Sequence, residues 1–186
     1  MDKRVSTILF AVMAVLFIVA CGDCKKKGNG KQSLATTEES KGDTTVYGVC
    51  GVNTAMHNLE LVTVQGDTLN YLFDVDDESA VKGGLLAGDR LAVVGYKNAD
   101  GEYEANQVLN LTTLMGKWRS IDKQFELMED GTVLSAVKEE AHPWTSWKVF
   151  NGQLLLNKDT FTVNALGADS LYLENAHGIF TFTRQK

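Results

Sequence analysis

Proline occurs once in the 186 residues, as Pro143, and cysteine and histidine three times each. Three cysteines cannot build a disulfide framework, which excludes a stapled miniprotein. His57, His142 and His177 stand far apart, without the i, i+4 or Cys-x-x-Cys spacing of a zinc site, so no metal is expected. Positive charge is also short: 18 Lys and Arg face 24 Asp and Glu, for a net charge of -6 and a pI near 5.1. Binding to a phosphate backbone needs a basic face, so nucleic acid is excluded as a partner. There is no G-x-S-x-G, no Ser/His/Asp order, no glycine-rich phosphate loop and no carboxylate pair on a plausible helix. Neither catalysis nor a cofactor is therefore expected. Helical periodicity is missing as well, because no segment after residue 43 keeps a 3.6-residue apolar repeat for three turns. What the chain does have is 17 glycines and many short alternating runs broken by Gly, Asn and Asp, the pattern of an all-β protein.

The amino-terminal end is an address. Lys3 and Arg4 precede an uncharged apolar run from Ile8 to Ala20. As a helix that run spans about 20 Å, short of the roughly 30 Å hydrocarbon core of a bilayer, and it has the proportions of a signal-peptide h-region. It closes on Ile18-Val19-Ala20-Cys21, which resembles the bacterial lipobox. The resemblance implies that the leader 1–20 is removed and that Cys21 is acylated on its sulfur and on its new amino terminus. Several acyl chains on one residue hold a membrane durably, where a single chain does so only marginally. In gut-type Bacteroidetes lipoproteins, surface-export signals are acidic just after this cysteine. Here Lys25-Lys26-Lys27 follows, which favours the periplasmic face of the outer membrane. Residues 21–43 are mostly Lys, Gly, Ser, Thr and Glu, with little to bury, and are expected to form a flexible tether.

The rest divides near Thr112 to Leu114. In residues 44–113 strands are expected near 45–52, 59–65, 67–74, 89–96 and 102–112, with a short helix over Asp76 to Lys82. Five strands with a helix or loop between the third and fourth is an OB-like layout. The run from Leu86 to Tyr96 is similar to the fourth strand of small OB-fold domains of bacterial envelope proteins. Many OB domains bind nucleic acid or sugar on one face, but 3 Lys and Arg against 10 Asp and Glu set nucleic acid aside here.

In residues 114–186, Gly116-Lys117-Trp118 resembles the G-x-W that opens lipocalins. Seven further strands are expected near 123–129, 132–139, 144–150, 153–157, 159–165, 169–174 and 178–184, joined by Asp130-Gly131, Asn151-Gly152 and similar turns. The expected fold is a short eight-stranded up-and-down barrel. The lipocalin resemblance implies that Arg184 in the last strand stacks on Trp118 and closes the barrel. The likeness is to short lipocalin-like lipoproteins of Bacteroidetes. The enteric envelope-stress and copper-homeostasis lipoproteins also join a lipocalin-like half to an OB half. Their order is the reverse, and their Cys-x-x-Cys is missing from this barrel, so metal sensing is not implied.

By alternation Phe125, Leu127, Trp147, Val149, Phe161, Val163, Leu171, Leu173, Phe180 and Phe182 face the barrel interior. Two readings follow: a core filled by its own side chains, or a small apolar pocket near a mouth formed by Trp144 and Trp147, with Phe161 below and His142-Pro143 on the rim. Cys24 and Cys50 either pair in the oxidising periplasm or stay as thiols, with Cys50 in the barrel wall. A copper trio of Cys50, Met56 and His57, and a calcium loop at Asp74, Asp76, Asp77 and Glu78, lack the needed geometry. Asp43-Thr44-Thr45 is similar to the Bacteroidales O-glycosylation acceptor, with Thr44 as the modified residue. Asp67-Thr68-Leu69 and Asp169-Ser170-Leu171 match as well, but at ordinary starts of strands. The functional expectation is a non-catalytic, lipid-anchored module that binds an envelope protein, or else carries or senses a small apolar ligand. Cys21→Ala is expected to shift the protein from the membrane to the soluble fraction. A variant that stays membrane-bound with its leader cleaved would exclude the anchor.

Overall fold

A computed structural model describes residues 42–73, 80–136 and 142–186. The leader, Cys21, Cys24, the lysine triplet and Asp74 to Glu78 lie outside the described residues. Those from 42 onward belong to one compact unit made of two β-sheets.

The first sheet contains β1 (Val46–Cys50), β2 (Asn58–Thr63), β3 (Thr68–Leu72), β4 (Val81–Lys82), β5 (Arg90–Lys97) and β6 (Tyr103–Asn110). Its order is β3-β2-β1-β5-β6-β4, and β3 also pairs with β6 in parallel, so five of the six strands close into a ring. The register Gly48 to Thr63 and Val46 to Val93 places Leu59, Leu61, Leu91, Val93 and Val108 on the inside, with Cys50 and Tyr71. The expected helix over 76–82 is not formed at its end. Val81 and Lys82 are instead the short strand β4, drawn into the sheet by Val81 and Lys82 pairing with Val108 and Leu109.

A four-residue helix, α1 (Leu111–Leu114), replaces the end of the fifth expected strand. Asn110 caps it, its Oδ1 accepting from Thr113 N, while Asn110 Nδ2 donates to the carbonyls of Gly83 and Gly84 and to Asp89. A fully buried amide is thereby satisfied on both sides.

The second sheet runs β7 (Gly116–Arg119), β8 (Gln124–Leu127), β9 (Val133–Ser135), β10 (Trp147–Phe150), β11 (Gln153–Leu156), β12 (Asp159–Leu166), β13 (Ser170–Asn175) and β14 (Gly178–Arg184). Its order, β10-β11-β12-β13-β14-β7-β8-β9, is that of an up-and-down meander closed by pairing β14 with β7. The remaining seam, between β9 and β10, is held by a bridge between Thr132 and Ser146 and by Val133 N donating to Thr145 O. Asn151 (φ 48°) and Gly152 (φ 77°) both adopt the left-handed backbone that a two-residue hairpin of matching twist requires. The described part of expected strand 132–139 contains β9, residues 137–139 lying outside the described residues, and 144–150 shrinks to β10 because Asn157 takes over the backbone of Thr145 and Ser146.

The sheets share a core. Strand β5 reads Leu91-Ala92-Val93-Val94, a continuous apolar run, because both of its faces are covered. Leu91 and Val93 face the ring, while Ala92, with Leu109 of β6, joins the large cluster around Trp118 and the barrel leucines. Polar contacts fasten the same junction: Tyr47 Oη donates to Val149 O (2.9 Å), Gln107 Nε2 to Gly152 O (2.8 Å), and Arg90 pairs with Glu129. The last residue of the expected tether is part of it, since Asp43 Oδ1 accepts from both Thr45 N and Asn151 N.

Burial pulls the Asp43 carboxyl up, but the hydrogen bonds from Thr45 and Asn151, with Lys148 nearby, together outweigh it and hold the group below its ordinary value. A carboxyl depressed in the folded state stabilises above its unfolded pKa of about 3.9, and the contribution fades as pH falls through the folded value. Asp43→Ala should therefore lower the melting temperature at pH 7 by more than at pH 3. Thermal circular dichroism at the two pH values checks this, and an equal deficit at both would mean that the charge does nothing there.

Candidate functional site

Trp118 on β7 is fully buried, with 0% of its surface exposed. Its indole Nε1 donates to Leu114 O at 2.8 Å. Arg184 on β14 pairs in register with Trp118, and its Cζ lies 4.2 Å from the indole ring centre. The guanidinium also donates to the carbonyls of Thr113, Met115 (2.9 Å) and Ala168. Gly116 has φ +111°, and a Cβ there would sit 2.8 Å from Arg184 Nη1, so the glycine of G-x-W makes room for the arginine. The two side chains stack beside α1 and donate to carbonyls at its end that have no helical donor.

The four residues expected at a ligand mouth do not gather there. Trp144 is only 7% exposed and lies inside the barrel, against the expectation of a rim residue. It packs edge-on to Phe125 (5.1 Å, 83°) and Phe161 (5.6 Å, 77°), and Phe125 meets Phe182 in the same way (5.1 Å, 82°). Edge-to-face contact is the geometry that aromatic quadrupoles favour, and a large indole gains most by complete burial. Asn157 seats it there. In the left-handed conformation (φ 57°), its Oδ1 accepts from Thr145 N (2.9 Å) and Ser146 N (3.1 Å), and its Nδ2 donates to Pro143 O (3.1 Å). The amide thus grips the chain on both sides of Trp144. Trp147 is half-buried, with Nε1 donating to Met128 O at 2.7 Å. His142 is exposed, and no described contact joins it to the other three. The filled interior is the first of the two sequence readings.

Space remains above the aromatic filling. A cleft of about 250 Å³ lies between the β7–β8 turn, Ser120 to Lys123, and the start of β14, with Phe180 and Phe182 among its lining residues. Lys123 Nζ stands 4.2 Å from the centre of the Trp144 ring. Ile121 (100% exposed) and Ile179 (65%) form an apolar rim. Alternation identifies Phe180 and Phe182, but Ile121 sits in a turn, where it has no periodicity to mark it. The available signal is an isoleucine set between Ser120 and Asp122, two polar residues that suit a turn.

Cys50 is a buried thiol whose Sγ contacts Thr54 Oγ1 at 3.3 Å. Thr44 is exposed, and both its N and its Oγ1 donate to Asn151 Oδ1 (2.8 and 2.9 Å), so its hydroxyl is part of the junction between the sheets. No group of three or more metal-ligating side chains occurs among the described residues, nor is any helix there long and apolar enough to cross a membrane. Comparison with family models, curated proteins and solved structures finds no match to this chain. The fold is that of an all-β protein of two sheets, one of them a nearly closed eight-stranded barrel.

Truncating Trp118 to Ala should cost about 3–5 kcal/mol, as for other large buried aromatics. Arg184→Ala should cost about 2–4 kcal/mol, because it strands several carbonyls as well as losing the ring contact. In a double-mutant cycle followed by urea unfolding, the two losses should fall well short of additivity. Strict additivity would mean that the pair is not coupled.

Proposed function

We propose that the chain is a non-catalytic envelope lipoprotein, anchored through Cys21 on the periplasmic face of the outer membrane, whose lipocalin-like barrel carries or senses a small apolar molecule. The observation that carries this is the cleft between Ser120–Lys123 and Ile179–Phe182, an aromatic floor with an exposed isoleucine on either side. Its volume, about 250 Å³, falls just below the roughly 300 Å³ at which small-molecule sites begin, so the ligand is small and rests on the aromatic filling rather than inside the barrel. Fully burying one isoleucine against a ligand contributes about 1.5–3 kcal/mol, a change of roughly tenfold or more in affinity. The parallel β3–β6 seam and ring closure support an OB-like reading of the first sheet, and the meander with its Trp118–Arg184 pair supports the lipocalin-like reading of the second. A second reading has an envelope protein seated on the same rim, favoured by the complete exposure of Ile121.

The test is a titration with a neutral apolar fluorophore, N-phenyl-1-naphthylamine. Ile121→Asp and Ile179→Asp, both at exposed positions, should each weaken binding tenfold or more while leaving the fold intact by circular dichroism. Unchanged binding in both variants would remove the cleft as the site.

A further inference from the structure

The barrel cleft is bordered on one side by consecutive residues of β14, Ile179 to Phe182, and on the other by the β7–β8 turn, Ser120 to Lys123. Side chains of a strand alternate, so consecutive residues line one hollow only along the edge of the strand. The pairing of β14 shows that this edge is open. Against β13 the register runs without a break from the pair Asn175 and Gly178 to the pair Ser170 and Thr183. Arg184 N donates to Asp169 O on that side, and Gln185 N donates to Lys117 O on the other. Counting back by twos, Phe180 and Phe182 bond to β13, while Ile179, Thr181 and Thr183 turn their N–H and C=O groups towards β7. Thr183 meets Arg119 there, but the chain leaves the sheet at Ser120, whose N–H goes to Lys123 O instead. The N–H and C=O groups of Ile179 and Thr181 therefore face the cleft with no hydrogen bond among the described residues.

Natural sheets blunt an open edge with lysine, proline or a bulge. Gly178-Ile179-Phe180-Thr181-Phe182 has none of the three. We infer that this edge is kept for strand addition: an extended segment of another protein, apolar at alternate positions with a lysine or arginine between them, lies in the cleft antiparallel to β14, where a longer β7 would run. A strand presents both of its faces, so one set of its side chains lies beside Phe180 and Phe182 and the other beside the exposed Ile179 and Thr181. The four bordering residues span about 13 Å, so the segment is short. Its charge is set by Asp122, which lines the cleft, is exposed and has no ion-pair partner among the described residues. Lys123, the other charge in the lining, turns its ammonium onto the Trp144 ring. The net charge of -6 attracts a basic segment as well. The inference rests on the reading of this cleft as a binding site, and it names the kind of protein segment that sits on its rim.

The experiment titrates the full chain with the peptide acetyl-Val-Lys-Val-Thr-Val-amide, followed by amide chemical shifts and by displacement of N-phenyl-1-naphthylamine. The peptide should shift the amides of 120–123 and 179–182 and displace the fluorophore. Exchanging the N–H of its Lys and Thr, which stand opposite Ile179 and Thr181, for an ester oxygen should weaken binding fivefold or more. Esters at the second and third Val, whose N–H groups point away from β14, should leave it within twofold. Thr181→Pro, which removes a donor that β13 does not use, should abolish peptide binding while the β-type circular dichroism persists. Equal effects of the two ester sets would reduce the contact to side chains and overturn the inference. Fluorophore binding in the cleft that the peptide does not displace would overturn it and leave the cleft as a small-molecule site, whereas failure of both ligands to bind would remove the cleft reading too. Dimerisation of the chain that Thr181→Pro abolishes, without peptide binding, would give the edge to a second copy and overturn the inference as well.

Discussion

A guanidinium has five N–H donors in one rigid fork and cannot shed its charge, so wherever it is packed against protein the backbone must bring carbonyls to it. Arg184 sets that requirement for this chain. Its partners are Thr113 and Met115, at the end of α1, and Ala168, before β13. The last turn of α1 has carbonyls with no helical donor, and Trp118 Nε1 takes the one at Leu114 that Arg184 leaves. A helix of four residues could not persist on its own hydrogen bonds. It persists because one barrel pair satisfies its carboxyl end while Asn110 satisfies its amino end and fixes the 83–89 loop of the first sheet.

The same joint explains why the two sheets behave as neighbours with a common core. Strands β9 and β10 meet near Thr132 and Ser146, and among the described residues no strand lies beside the far end of β10. An open strand edge exposes donors and acceptors to unwanted pairing. Here the segment Asp43 to Tyr47 covers it, with Asp43 and Thr44 on Asn151 and Tyr47 on Val149 O. The first sheet thus supplies what the barrel's own short strands do not reach.

How much of this the sequence discloses depends on the range of the interaction. Period-two alternation and left-handed turn residues are local, and they place nearly every strand to within a few positions, Asn151-Gly152 most sharply. The helix α1 escapes because one turn is too short to show a 3.6-residue repeat, and Leu111-Thr112 simply extends the apolar-polar rhythm of β6. Val81 and Lys82 look helical beside an acidic stretch, yet become a strand because Val108 and Leu109 offer a partner 27 residues later. Trp144 looks like a rim residue because His142-Pro143-Trp144 reads as a loop at the barrel mouth, a polar handle beside an aromatic. Its burial depends on Asn157, whose amide grips residues 143–146 across the barrel seam, and no local pattern announces such a grip.

Charge and apolar surface separate along the chain in a way that bears on what each sheet can recognise. The barrel half is close to neutral, and its cleft pairs two isoleucines with an aromatic floor, so desolvating an apolar guest there costs little. In the ring half, β6 sorts its side chains by alternation: Tyr103 and Ala105 turn to the core side with Tyr71, while Glu102 and Glu104 turn to the outer side with Leu72. Excess negative charge there is kept hydrated, with Glu104 further met by Tyr96 and Asn98, so the carboxylates stay out of the core that the same strand helps to build.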